Sequence, residues 1–450
     1  MPVSTPRQRR GVTPSAPPGR QRRGVAQLAR GVTRLRPSAG AASDSDSQSS
    51  QRDVGTAVER RSHRPSSRQG HHQRWNRSAP QRKAPTPKRE KSRRQPKRGQ
   101  SAGMPVAAQR FCNYGLQLGV QNLRREFTQL RTYIPKNFSK EAHDNNAAKN
   151  RYRDLPTYYV ICLDNGRVSL NDGRGGDYIH ANFVEDHTGN RRFICTQAPK
   201  DDTVVDFWRM VLQEDCRLII MLCKPVEANK PKCARYFPER QGERQTVSPA
   251  IIVENVSTRQ GLPKEDKLYD GEEFITRRLR LEDKDCRAGN SENSQRSNTK
   301  RRGSREVDHI HWVNWPDRGV PNSTRAMLRL LEEVANTRQS YPRSPVLVHC
   351  SAGIGRTGTV VAVDLAKLRM CQNQQTEGLE LVRSIRNQRG QSMQTDVQYV
   401  YVYACLIQFF VSRCDDYSKR NADDIDAFFE DYRDIHGKKA AAAASPNDTW

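Results

Sequence analysis

Apolar positions in one early segment fall at helical intervals. Leu116, Val120, Leu123, Phe127 and Leu130 are spaced four, three, four and three residues apart, so a single helix face collects them. Order is therefore expected from near Phe111. Compact apolar runs at 158–163, 217–222 and 346–348 have the length of buried strands, and helical spacing returns at 324–335, 360–368 and 379–385. Strands alternating with helices predict an α/β domain with a largely buried sheet.

The pattern fails in three places. Residues 287–306 carry no large apolar side chain and include Lys300, Arg301 and Arg302, as expected of an exposed insertion between two strands. After Cys414 the chain turns acidic and then runs into Ala440 to Ala444. A frayed tail is expected there, with a short docking helix through Ile425, Phe428 and Phe429 as the alternative. Residues 1–110 contain a single aromatic, Trp75, out of 31 Phe, Trp and Tyr in the chain. Such a segment buries too little apolar surface to offset its chain entropy, which predicts disorder. The expected division is a disordered Arg-rich tail at 1–110, a globular domain at 111–414, and an acidic then Ala-rich tail at 415–450.

Charge sharpens this division. The chain carries 77 Lys and Arg against 50 Asp and Glu, a net +27, but residues 1–110 hold 26 of the former and 5 of the latter. A flexible +21 arm would attract nucleic acid or an anionic surface weakly and in a salt-dependent way, without the interleaved aromatics that stack on bases. The dense run from Lys88 to Arg98, preceded by Arg82 and Lys83, resembles a bipartite nuclear-import signal. The 11 cysteines include no C-x-x-C pair and all lie after residue 110, which argues for free thiols in a reducing, cytoplasmic setting. No transmembrane segment is expected: the richest apolar stretch, 397–411, is too short and contains Gln398 and Gln408. The ten histidines form no metal-ligand pattern, and no cofactor is expected.

The chemistry concentrates in Val-Leu-Val-His349-Cys350-Ser351-Ala352-Gly353-Ile354-Gly355-Arg356-Thr357-Gly358. A short strand delivers Cys350 into a glycine-containing turn from which a helix starts. The amides of such a turn, with the helix N-terminus, form an anion nest that binds phosphate and lowers a thiol pKa. Arg356 can return to the same cavity and grip two phosphoryl oxygens. Taken alone, a cysteine is usually a buried, inert residue; the ordered set of His, Cys, glycines and Arg argues otherwise.

The segment from His349 to Gly358 contains the His-Cys-x5-Arg-[Ser/Thr]-Gly signature, and the chain resembles the tyrosine-specific protein phosphatases over about residues 111–414. The resemblance implies a phosphatase fold: a central twisted mixed sheet flanked by helices. It implies hydrolysis of phosphotyrosine in phosphotyrosyl proteins through a cysteinyl-phosphate, with Cys350 as nucleophile and Arg356 and the amides of Ser351, Ala352, Gly353, Ile354 and Gly355 around the phosphate. Asp317, in Trp315-Pro316-Asp317-Arg318-Gly319, would be general acid and then base; outside this context an Asp in such a turn is more often structural. Gln394 would position water with support from Gln398, or the pair could belong to an ordinary capped helix start. Tyr152 would stack on the substrate ring and Asp154 would accept bonds from the substrate backbone. His349, Thr357 and Glu227 would be supporting residues, Glu227 through an ion pair to Arg356 if it is not simply an exposed loop glutamate.

Compact spacing resembles the non-receptor branch, and also phosphatases that DNA viruses of parasitoid wasps deliver into host cells. The chain departs from the family at His180, Phe237, Ala228 and Arg318 without losing a group the chemistry requires. The alternatives are a catalytically weak phosphotyrosine-binding, substrate-trapping protein and an RNA 5′-phosphatase.

Overall fold

A computed structural model describes residues 103–153, 160–263, 271–285 and 304–443, with side chains through 435. The basic tail through residue 102, Asp154, the start of the 158–163 run, most of the 287–306 insertion and the polar tip lie outside the described residues.

The described residues form one sheet of nine strands in the order β1 (Arg167–Ser169), β2 (Tyr178–Glu185), β3 (Arg191–Thr196), β11 (Val346–His349), β4 (Leu218–Met221), β10 (Ser304–Trp312), β9 (Phe274–Asp283), β8 (Ile251–Gln260) and β7 (Arg244–Thr246). The four central strands β3, β11, β4 and β10 are parallel, and the flanks are antiparallel. This is the mixed sheet that the resemblance implied. Burial explains the split: β4 and β11 are buried at every position, as parallel strands covered on both faces must be, whereas β8 alternates buried with partly exposed positions over its first half and then turns outward.

The register brings the ends of the parallel strands level. His349 lies beside Thr196 on one side and Met221 on the other, and Met221 lies beside His311. Loops leaving these carboxyl ends therefore share one rim, where ligands bind in sheets of this kind. One such loop is the turn after β11; another, after β10, carries Asp317; the hairpin of β5 (Val226–Glu227) and β6 (Lys230–Pro231) follows β4.

Helices α1 (Val106–Phe127), α2 (Glu141–Asn145), α3 (Val204–Gln213), α4 (Thr324–Ser340), α5 (Gly355–Cys371), α6 (Gly378–Arg386), α7 (Asp396–Val411), α8 (Asp415–Arg420) and α9 (Ala422–Ala443) complete the described structure. The helix expected from Leu116 to Leu130 is present, but it starts at Val106 and is interrupted at Gly119, whose φ of 70° leaves the helical region. Helix α7 is buried on almost all sides because α1, α4, α5 and α9 pack around it, which accounts for the apolar stretch at 397–411. Its tyrosine hydroxyls find partners inside: Tyr401 donates to the Ser323 carbonyl at 2.8 Å and Tyr399 to Glu126 at 3.0 Å. Among the described residues no helix is long and apolar enough to cross a membrane.

Two expectations are corrected. The run at 160–163 is buried but makes no strand; the Cys162 amide donates to His143 Nδ1 at 3.4 Å and the Leu163 carbonyl accepts from Asn182 at 2.8 Å, so side chains replace a ladder. The segment after Cys414 is no frayed tail as far as Ile435. Ile425, Phe428, Tyr432 and Ile435 are all buried, spaced three, four and three residues apart on the face of α9 that meets α1 and α7. The docking-helix alternative holds, over a longer stretch than its three named residues.

Candidate active site

Cys350 follows β11 directly, and α5 begins five residues later at Gly355. The intervening turn closes around the sulfur: the Gly353 amide donates to Cys350 Sγ at 3.2 Å. Gly353 has φ +69°, and a Cβ there would lie 2.0 Å from the Thr196 carbonyl oxygen, so only glycine fits. At Gly355 a Cβ would meet Gln394 Oε1 at 2.5 Å, so a larger residue would displace the Gln394 side chain. The missing side chain lets Gln394 approach the start of α5.

Burial alone would raise the Cys350 pKa. The Arg356 charge, the Thr357 hydroxyl and the amides of Thr357 and Gly353 outweigh it and hold the thiol below its ordinary value. Among the described residues the buried Thr357 hydroxyl has no hydrogen-bond partner, which leaves it available to the sulfur.

Arg356 is almost wholly buried and faces Glu227 through both of its terminal nitrogens, Nη1 to Oε1 at 2.6 Å and Nη2 to Oε2 at 2.9 Å. This is the ion pair implied by the resemblance, and Glu227 is no free loop residue. Nη1 also donates to the Trp315 carbonyl at 3.1 Å, which ties the guanidinium to the loop of Asp317. Burial disfavours the Arg356 charge, but Glu227 and the Cys350 thiolate more than compensate, leaving a fixed cation.

Asp317 faces the sulfur's cavity from the other side. Its Oδ1 lies 3.4 Å from Arg356 Nη2 and its Oδ2 accepts from Lys232 Nζ at 3.0 Å. Burial pushes this carboxyl up, yet Arg356, Lys232 and Arg318 pull it below the usual range. Lys232, which directly follows β6, received no role from the sequence. Arg318 itself is exposed, with φ 55°, and its carbonyl accepts from Thr395 Oγ1 at 3.3 Å.

The cavity between these groups is lined by Cys350, Arg356, Asp317, Tyr152, Gln394 and Gln398, among others. Tyr152 donates to Ser351 Oγ at 2.7 Å, and Ser351 in turn donates to the Lys232 carbonyl at 3.1 Å, so the ring stands as a wall beside the turn. Gln197 clamps the loop that carries Tyr152, accepting from the Arg151 amide at 2.9 Å and donating to the Lys149 carbonyl at 2.8 Å. Gln398 accepts from the amides of Gln394 and Thr395 at 2.9 and 3.3 Å and, with Thr395, forms a capping box. The capped helix start is thus real, and the same cap presents Gln394 and Gln398 to the cavity.

His349 lies beneath the turn, and its contacts fix its tautomer. Nδ1 is 3.2 Å from the Cys350 carbonyl, which can only accept, so the proton is on Nδ1. Nε2 then accepts from the Tyr236 hydroxyl at 2.8 Å, and Tyr236 accepts from His309 Nε2 at 2.7 Å. Burial drives the His349 pKa down to about 3, so the ring is neutral. Neither Tyr236 nor His309 received a role from the sequence, because neutral hydrogen-bond partners leave no charge signal of their own. Among the described residues no group of His, Cys, Asp and Glu is arranged to hold a metal.

The β5–β6 hairpin that supplies Glu227 turns through Ala228 and Asn229, with φ of 48° and 59°. Positive φ at both central positions suits Asn or Gly and strains alanine by about 1 kcal/mol. Ala228→Asn should therefore raise the thermal midpoint, by a stabilisation of about 0.5–1 kcal/mol. A lowered midpoint in differential scanning calorimetry would show that the turn is not strained.

Known proteins match this architecture. A profile of the protein-tyrosine phosphatase family covers residues 146–408. Tyrosine-protein phosphatase 69D of Drosophila melanogaster is 32% identical over 288 residues, 62% of this chain and 18% of that protein. Non-receptor type 20 of Rattus norvegicus is 31% identical over 307 residues, 67% of this chain and 64% of that protein. The solved catalytic domain of human non-receptor type 18 superposes with a TM-score of 0.53 at 27% identity, covering 68% of this chain and 99% of that one. This chain belongs to the protein-tyrosine phosphatase family. It spans between 18% and 33% of 69D and of its receptor-type relatives, which are much longer proteins.

Proposed function

We propose that the chain hydrolyses phosphotyrosine in proteins through a cysteinyl-phosphate intermediate and so reverses kinase signalling. The observation that carries this is the convergence of Cys350 Sγ, the Arg356 fork and the Asp317 carboxyl on one cavity. The Cys350 thiolate attacks phosphorus while the P–O bond to the tyrosine breaks, and Asp317 supplies the proton to the leaving phenolate. Water then attacks the cysteinyl-phosphate, Asp317 accepts its proton, the S–P bond breaks and the thiolate is restored. Gln394, held by Gln398 at the head of α7, orients that water, and Arg356 with the turn amides from Ser351 to Gly355 carries the phosphoryl charge.

Tyr152 supports tyrosine as the substrate, since its ring flanks the route to Cys350 and a phosphoseryl side chain is shorter. Asp154 would bind the substrate backbone. The non-receptor type 18 phosphatase that this chain resembles is recorded in complex with HER2 phosphopeptides, which favours the same class of ligand here. Ten free cysteines among the described residues favour a reducing compartment, and we place the protein in the cytoplasm, with the basic tail as a salt-dependent anchor and a route to the nucleus. The phosphatase unit is best drawn from about Met104 to Ile435, because both ends of that span are buried against it.

Phosphate release by the full chain from a phosphotyrosyl peptide, a phosphoseryl peptide and an RNA 5′-triphosphate tests the proposal. Release from the first alone is expected. Faster release from the RNA would overturn it in favour of RNA 5′-phosphatase activity, and tight peptide binding without release would make the protein a trap.

A further inference from the structure

Arg389 lies in the turn between α6 and α7, where no motif marks it, and its side chain is completely buried. A buried guanidinium cation needs acceptors for its donors. Its acceptors are the Gly353 carbonyl to Nε at 3.1 Å, the Ala352 carbonyl to Nη2 at 3.2 Å, Asn182 Oδ1 to Nη1 at 2.9 Å and His180 Nδ1 to Nη2 at 3.1 Å. None is a carboxylate, so the positive charge is left uncompensated among the described residues. Its titratable neighbours are neutral as well. Burial pushes His180 and His143 down, Arg389 adding to the effect, and burial pushes Cys162 up.

Two of these acceptors belong to the turn around Cys350, on the side away from the cavity. The peptide that joins Ala352 to Gly353 gives its carbonyl to Arg389 and its amide to Cys350 Sγ. The carbonyl and amide of one trans peptide point in opposite directions, so holding the first aims the second. The other groups that bear on the sulfur are Arg356 on α5, the Asp317 that Arg356 touches, and the protonated thiols of Cys195 on β3 and of Cys223 just beyond β4.

We propose that Arg389 is a positioning residue for the anion site: it grips the Ala352 and Gly353 carbonyls from beneath, aims the Gly353 amide at the nucleophile, and adds a buried positive charge behind the phosphate. The proposal rests on the phosphatase reading above, but it concerns the thiolate and can be tested without turnover. Arg389 touches neither substrate nor sulfur. Its effect travels through the peptides of the turn it grips and through the field of its charge.

The test is the pH dependence of iodoacetamide alkylation at Cys350, followed by mass spectrometry in the full chain, for wild type, Arg389→Met and Arg389→Lys. Near-ultraviolet circular dichroism checks each fold, and kcat and KM are measured on an aryl phosphate. For Arg389→Met the alkylation midpoint should rise by about one pH unit, a roughly tenfold loss of thiolate below the midpoint. Its kcat/KM should fall about 10- to 100-fold, the range for partners that orient groups in other preorganised sites. Arg389→Lys keeps the charge without the planar fork, so its midpoint should rise less than that of Arg389→Met while kcat/KM still falls. If Arg389→Met does not fold, an upward shift in Arg389→Lys supports the proposal. A wild-type midpoint in whichever variant is folded overturns it, and so does loss of fold in both, which would make Arg389 a core residue only. A wild-type protein that alkylates with a lowered midpoint but releases no phosphate would sink the phosphatase reading and leave this one standing.

Discussion

Cys350→Ser should lower turnover of a phosphotyrosyl peptide by at least about 10⁴-fold, as removal of a covalent nucleophile does elsewhere, while the peptide binds no more weakly than to wild type. The turn is built to favour an anion: the Gly353 amide lies 3.2 Å from Sγ, and Arg356, aligned by Glu227, faces the same cavity. Those groups depress a thiol pKa that starts at 9.0. A hydroxyl starts so much higher that the same environment leaves it un-ionised at any working pH. The amides and Arg356 survive the exchange, so the phosphate site survives too. In wild type the thiolate and a phosphate dianion repel each other, and a neutral serine hydroxyl in place of the thiolate would remove that repulsion. Initial rates and calorimetric peptide binding on the same preparations check both halves. Residual turnover above about 1% of wild type, or loss of peptide binding, would refute the assignment of Cys350 as nucleophile within an intact anion site.

How much of this was visible in the sequence depends on whether a feature is local. The Cys350 turn was legible because strand, nucleophile, glycines and Arg356 occupy consecutive positions, and chain geometry alone brings them together. Asp317, Gln394 and Glu227 come from separate segments, and only the family resemblance joined them to Cys350 before the sheet register was known. The underside of the turn was not legible. Arg389, Tyr236 and His309 act through carbonyls and neutral rings, and their partners are fixed by tertiary packing between remote segments. The helix at 422–443 illustrates a different failure: Ile425, Phe428, Tyr432 and Ile435 follow a helical stripe, but the surrounding acidic residues suggested a solvated tail. The exposed face carries the charge, and the buried face holds the helix to the domain. At 160–163 the apolar run correctly marked burial, yet burial did not require strand pairing once His143 and Asn182 supplied the hydrogen bonds.

Asp317→Asn should reduce kcat by about 10²–10⁴-fold, the usual span for a positioned acid–base group, and flatten the basic limb of the pH profile. The sign follows from the free protein. Arg356, Lys232 and Arg318 overcome the effect of burial and hold the Asp317 pKa low, so without substrate the carboxyl is an anion at neutral pH. An acid that must donate a proton is then in the wrong state until phosphate arrives. A phosphate dianion on Arg356 replaces a favourable contact, now 3.4 Å long, with a like charge beside Asp317, and both changes raise the carboxyl pKa. The profile of kcat/KM reports the free protein and that of kcat the complex. The basic limb of kcat should therefore lie at higher pH than the basic limb of kcat/KM, with both limbs set by loss of one proton. Asparagine holds no such proton, so its profile should keep the acidic limb and lose the basic one. The loss should also grow with the basicity of the leaving group, because a good leaving group such as p-nitrophenolate needs little protonation. Profiles measured for aryl phosphates of graded leaving-group pKa decide the matter: a basic limb unchanged by Asp317→Asn, or equal losses across the series, would assign the proton to another group.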